Sequence, residues 1–183
     1  MPADYTEQTL SSRVAHQGKL LTLKDDEVRL PDGRIARREY VLHQGAVMVI
    51  PLFEDGSVLL ERQYRYALRE HFLELPAGKV DPGEAPLATA QRELLEETGY
   101  RARDWRHLIT LHPCVGYCNE KVELYLARQL THEGHPGEDG EFIECIRMSL
   151  PEALERSRRG EITEAKTIVG LLWAEKLQTG QWE

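Results

Sequence analysis

The longest apolar stretch, "AVMVIPLF" (46–53), is nearly continuous and rich in β-branched residues, which predicts a central strand buried on both faces. The N-terminal segment before it reads as short strands. "KLLTLKDDEVRLPDGRIARREYVL" alternates apolar and polar positions around Pro31-Asp32-Gly33, a hairpin pattern too slight to be stable alone. Asp55-Gly56 turns the chain into a second strand, "SVLLERQYR", and "HFLELPAG" is a short strand ending in a Pro/Gly loop. Pro86 suits the first position of a helix and Gly99 the position just past its end; Leu87, Ala90, Leu94 and Leu95 form an apolar stripe between them. "HLITLHP", "KVELYLARQL" and "FIECIRM" read as further strands. "SLPEALERSRRG" opens with a capping-box pattern, Ser149 followed by Glu152, and "TEAKTIVGLLWAEKLQTG" is a long amphipathic helix ending at Gly180. Strands with few helices between them predict an α+β fold, a mixed sheet flanked by helices.

At 183 residues the chain has room for one ordinary domain and a small appendage. Hydrophobic content of 41% and charged content of 30% are those of a soluble protein. A formal charge of -8 argues against nucleic acid as a partner, and leaves open a small phosphate ligand held through a metal. Cys114, Cys118 and Cys145 make no even disulfide framework and read as free thiols in a reducing cytoplasm. The N-terminus lacks the pattern of a signal peptide, and no apolar run approaches the roughly 18 residues of a membrane span.

The candidate chemistry lies in "LPAGKVDPGEAPLATAQRELLEETGY" (75–100). On a helix, Glu93, Glu96 and Glu97 share one face within about one turn, where like charges cost roughly 0.2–0.5 kcal/mol per pair. A divalent cation would offset that cost, because hard cations take carboxylate and carbonyl oxygens. The three glutamates alone fit a solvated acidic face, with Arg92 as neighbour, better than a metal site.

The surrounding residues extend the pattern. Gly78, Glu84, Arg92-Glu93-Leu94, Glu96-Glu97 and Gly99 occur at fixed spacing, ending in Tyr100 where an aliphatic residue is usual. This resembles the Nudix box, found in hydrolases that cleave a nucleoside diphosphate linked to another moiety. The resemblance implies a Nudix fold, a mixed β-sheet sandwiched between helices with an N-terminal β-strand extension. It implies Glu93 and Glu97 as core metal ligands, with Glu96 and the Ala77 carbonyl assisting. Gly78 would let the chain turn so that this carbonyl faces the metal, Glu84 would support, and Arg92 would hold a glutamate in place. The implied metal is Mg²⁺, with Mn²⁺ able to substitute.

The flanks "DDEVRLPDGRIARREYVLHQGAVMVIPL", "ERQYRYALREHFLELPAGKVDPGE" and "GEDGEFIECIRMSLPEAL" are similar to the ADP-ribose and nucleoside-diphosphate-sugar pyrophosphatase group, over most of the chain. That likeness implies Arg65 at the diphosphate or terminal ribose, Arg38 near the nucleotide and Glu120 near the ribose and metal. It also implies Glu141 as general base or further metal ligand, with Glu138 and Asp139 competing for the role. Tyr40 and Tyr64 read as base-stacking or core aromatics. Val115 stands where many such enzymes carry a proline, which implies looser selectivity. The expected organisation is an N-terminal β segment at 1–42, for dimerisation and pocket building, and a hydrolase domain at 43–183. The expected protein is a cytoplasmic homodimer acting on a nucleotide sugar without membrane or nucleic acid. Other Nudix substrates (GDP-mannose, dinucleoside polyphosphates, FAD, coenzyme A) remain open, as does a non-catalytic sensor, although sensors tend to lose the box glutamates.

Overall fold

The computed structural model describes residues 3–134 and 142–182. They form two compact units, Met1–Gln44 with Cys114–Lys121, and Gly45–Pro113 with Val122–Glu183.

The first unit contains an antiparallel sheet ordered β1 (Gln8–Gln17), β2 (Thr22–Arg29) and β3 (Ile35–Leu42). The expected hairpin is β2–β3, closed where the Leu30 N–H donates to the Arg34 carbonyl at 2.8 Å. Strand β1 had no clear sequence signal. "QTLSSRVAHQ" is exposed along its length, and its register shifts twice, which breaks any alternation. Asp25 and Asp26 of β2 are buried. Asp25 is neutralised by Arg13 and by Arg37, whose Nε donates to Oδ1 at 2.9 Å. Asp26 accepts the Tyr40 hydroxyl at 3.1 Å, so that polar tip is engaged within this sheet. Residues 114–121 join the end of β3. Val41 N–H donates to the Tyr117 carbonyl (2.8 Å), and His43 N–H donates to Asn119 Oδ1 (2.7 Å).

The second unit holds a mixed sheet, ordered β7 (Ala77–Lys79), β4 (Ala46–Pro51), β9 (Val122–His132), β8 (Tyr100–Leu111). An antiparallel sheet runs β10 (Ile143–Ser149), β5 (Ser57–Arg65), β6 (Glu70–Glu74). Helices α1 (Pro86–Thr98), α2 (Leu150–Arg158) and α3 (Ala165–Gln178) complete the α+β architecture. Strand β4 is parallel to β9 and antiparallel to β7. Its side chains alternate between two cores. Met48 and Ile50 join Leu60, Leu75, Leu124 and, from α3, Leu171; Val47 and Val49 join Tyr125 and, from α1, Ala90 and Leu94. The unbroken apolar run thus reflects a strand covered on both sides, each buried aliphatic contributing roughly 1.5–3 kcal/mol. The helix signals also hold. Ser149 Oγ accepts the Glu152 N–H at 3.3 Å, and α3 buries Thr167, Gly170, Leu171 and Ala174 along one stripe.

Two expectations need correction. Strand β8 begins at Tyr100, well before "HLITLHP", directly after the helix cap. It is the sheet's edge strand, and the charged residues that shield such an edge (Arg101, Arg103, Asp104, Arg106) hide its period. Leu87 is exposed rather than part of the α1 stripe; the buried face is Thr89, Ala90, Leu94, Glu97 and Thr98. Of the α1 side chains, only Ala90 and Leu94 enter the core against β4.

Candidate active site

Strand β7 and helix α1 build the site. Pro86 begins α1 with the N–H that a first turn does not need. Gly99 ends it with φ of 73°, donating its N–H to the Leu95 carbonyl at 2.8 Å. Tyr100 plugs its ring edge-on against Phe53 and His132, at 5.5 and 4.8 Å between centroids. The helix presents Glu93, Glu96 and Glu97 to one side.

Glu97 is buried, and its Oε2 accepts the Ala77 N–H at 3.1 Å. Glu93 lies against Gly78 so closely that a Cβ on the glycine would sit 1.9 Å from Glu93 Cδ. Gly78 has no left-handed φ. Its role in the structure is therefore to leave room for the carboxylate, rather than to permit an unusual turn.

Arg92 gathers the remaining acids. Its Nε and Nη2 fork onto Glu84 at 3.2 and 3.1 Å, while Nη1 lies 2.8 Å from Glu96 and 3.0 Å from Glu93. Glu84 also accepts the Thr89 hydroxyl at 2.8 Å. The Arg92 guanidinium, then Thr89, hold the Glu84 carboxyl below the usual carboxylate range; Glu84 in turn pushes Arg92 further up. A planar fork with several donors suits this arrangement in a way that a lysine would not.

A second acidic group lies on β5 and β6. Glu61 and Glu74 are both buried and stand opposite each other in the strand register. Arg65 forks onto Glu74, Nε to Oε1 at 2.9 Å and Nη2 to Oε2 at 2.7 Å. Arg65 is held in its charged form by Glu74 first, with further contributions from Glu97 and Glu164. Cys145, opposite Glu61 in the register, donates its thiol to the Glu97 carbonyl at 3.4 Å. Burial first, then Glu61 and Glu97, push that thiol up to about 11. Sequence reasoning missed Glu61 and Glu74. Their only signal was an acid set against apolar residues, in "VLLE" and "FLEL".

Arg38 and Glu120 belong to the first unit. Arg38 forks onto Glu7, with Nε at 2.9 Å, and Glu120 lies 3.9 Å from His43 Nε2. Tyr64 is half-exposed, edge-on to His71. Glu138, Asp139 and Glu141 lie outside the described residues.

The donor chemistry around α1 fits a hard divalent cation. Glu93 and Glu96 converge on one cationic nitrogen of Arg92, and the missing Gly78 side chain makes the cradle that Glu93 fills. Among the described residues no group of three His, Cys, Asp or Glu stands ready-made as a metal cage.

Sheet order and acidic helix are those of a Nudix fold. The NUDIX domain matches residues 42–168, and the nucleoside diphosphate sugar hydrolase N-terminal domain matches residues 7–41. The chain belongs to the Nudix hydrolase family. It is 38% identical over 181 residues to an ADP-ribose pyrophosphatase of Mycobacterium tuberculosis, covering 97% of this chain and 87% of that protein. It is 34% identical over 169 residues to a methanol dehydrogenase activator of Bacillus methanolicus, covering 91% of each. A crystal structure of an ADP compounds hydrolase shares the fold with a TM-score of 0.88 at 24% identity, covering 99% of this chain and 98% of that one. Nudix hydrolases generally use a divalent metal. No helix among the described residues is long and apolar enough to cross a membrane.

Proposed function

We propose that the protein is a Mg²⁺-dependent pyrophosphohydrolase that cleaves the diphosphate of ADP-ribose to AMP and ribose 5-phosphate, or that of a related nucleoside diphosphate sugar to the nucleoside monophosphate and the sugar phosphate. The observation that carries this reading is the complete acidic face of α1, on a chain 38% identical over nearly its whole length to an ADP-ribose pyrophosphatase.

In this reading Glu93, Glu97, Glu96 and the Ala77 carbonyl hold the cation. When bound, it supplies positive charge against the diphosphate oxygens and the charge growing on the leaving phosphate. Arg92 keeps the glutamates at their spacing through its contacts with Glu84, Glu93 and Glu96. Arg65 donates N–H groups to the diphosphate, and Arg38 and Glu120 contact the nucleotide and ribose. Glu141 takes the proton of the attacking water as general base. Residues 1–42 pair two copies into a homodimer, and the protein works in the cytoplasm. Mn²⁺ substitutes for Mg²⁺.

The test is kcat/KM, with Mg²⁺, for ADP-ribose, ADP-glucose, GDP-mannose and diadenosine polyphosphates. ADP-ribose should lie within about tenfold of the best substrate, with ADP-glucose detectably cleaved, since the exposed Val115 lacks the ring that would stiffen its loop. A preference above about a hundredfold for GDP-mannose or a dinucleoside polyphosphate would overturn the substrate while leaving the chemistry standing.

A further inference from the structure

Arg65 and Glu74 lie on neighbouring strands but are not opposite each other. The register pairs Arg65 with Glu70, and Glu74 with Glu61. Arg65 and Glu61 are four residues apart on one strand, so their side chains leave the same face, and Glu74 shares it. At about 3.3 Å per residue, that offset is roughly 13 Å along the strand. To reach Glu74, the Arg65 side chain must lie back along the sheet rather than stand out from it. The fork at 2.9 and 2.7 Å fixes it there. The anchor is buried: the Glu74 side chain is only 8% exposed, whereas that of Arg65 is 45% exposed.

The fork uses Nε and one N–H of Nη2. A guanidinium has five N–H donors, so the whole of Nη1 and the second N–H of Nη2 remain. Among the described residues the Arg65 side chain makes no hydrogen bond beyond this fork. Its head group also lies within electrostatic reach of Glu97, a glutamate of the acidic α1 face. A cation at that place, with one edge anchored and the other edge supplied with donors, suits a diphosphate oxygen.

We propose that Glu74 is a positioning residue: it holds one edge of the Arg65 guanidinium so that the opposite edge is aimed at the substrate diphosphate. This rests on Arg65 being a diphosphate contact, as set out under the proposed function. Pre-aligned donors lose less freedom on binding than a wandering side chain does. Glu74 itself touches no substrate and acts only through Arg65.

A double-mutant cycle on the best-cleaved nucleoside diphosphate substrate tests this, using Arg65→Gln, Glu74→Gln and the pair, with Glu74→Asp as a variant that keeps the charge but moves the anchor. Melting temperatures of all four identify any that fails to fold. The expected result is that Glu74→Gln and Glu74→Asp each raise KM, with kcat/KM down about tenfold or more. Glu74→Gln should then cost nothing further once Arg65 is already Gln. If Arg65→Gln alone leaves kcat/KM unchanged, the diphosphate role of Arg65 falls and this proposal falls with it. If Arg65→Gln is harmful but the two losses simply multiply, only the positioning role of Glu74 is overturned. A lower KM in Glu74→Gln would also overturn it, because the fork would then be competing with substrate for Arg65.

Discussion

Gly78 and Glu93 occupy one space: a methyl group on the glycine would lie 1.9 Å from the glutamate's carboxyl carbon. The pairing joins β7 to α1 across the proposed metal site. Gly78→Ala should therefore displace the Glu93 carboxylate with little backbone strain, since the position has no left-handed φ. Activity should fall about a hundredfold, as for a roughly 1 Å misplacement of a catalytic group, while the circular dichroism spectrum stays unchanged. Near-normal turnover in this variant would show that Glu93 is not needed where the structure places it.

Arg92→Lys keeps one charge but cannot fork onto Glu84 while also holding Glu93 and Glu96. We expect turnover to drop about tenfold and more Mg²⁺ to be needed for half-maximal rate, as when an orienting partner of a metal site is lost. An unchanged Mg²⁺ dependence would reduce Arg92 to an ordinary helix ion pair.

Asp55 gives a stability prediction away from the site. Ser57 donates to it through its hydroxyl and its N–H, at 2.6 and 3.0 Å, and Arg147 adds a 2.7 Å contact. These hold its carboxyl down at about 2. A depressed folded-state value stabilises the fold above the unfolded carboxylate range, near 3.9, and that contribution is lost as pH falls toward about 2. Asp55→Asn should melt lower than the parent at pH 7, and the gap should close between about pH 4 and pH 2. A gap that stays constant across that window would mean that the charge of Asp55 is not what matters.

The N-terminal segment makes an assembly prediction. Its sheet is three strands, with β1 exposed along its whole length. Sedimentation should give twice the 21.0 kDa chain mass. Removing residues 1–42 should abolish both dimerisation and activity; an active monomer would contradict the assigned role of this segment.

Much of the fold was legible because burial leaves a period. Strand β4 showed itself through a continuous apolar run, and α1 through Pro86, Gly99 and the Ala90–Leu94 spacing. Strands β1 and β8 were obscure because exposed or charged positions carry no such period. At the site, the Glu93/Glu96/Glu97 face follows from spacing alone. The Arg65–Glu74 fork does not, because it depends on the β5–β6 register, which no single segment encodes. The steric role of Gly78 is hidden in the sequence for a similar cause: its neighbour, Glu93, is fifteen residues away and meets it only after α1 packs.

The role proposed for the acidic face of α1 is metal-dependent cleavage of a nucleotide-sugar diphosphate. The most direct measurement is product formation from ADP-ribose across a Mg²⁺ titration, for the parent and for Glu97→Gln, with AMP and ribose 5-phosphate quantified by chromatography. Glu97 is buried and tied to the Ala77 N–H, so the amide keeps the shape and removes the charge. The parent should give AMP and ribose 5-phosphate in equal amounts, with no turnover in excess chelator. Glu97→Gln should lose about two orders of magnitude or more at every Mg²⁺ concentration. Equal rates for parent and variant at limiting Mg²⁺, or undiminished cleavage by the parent in chelator, would contradict the account.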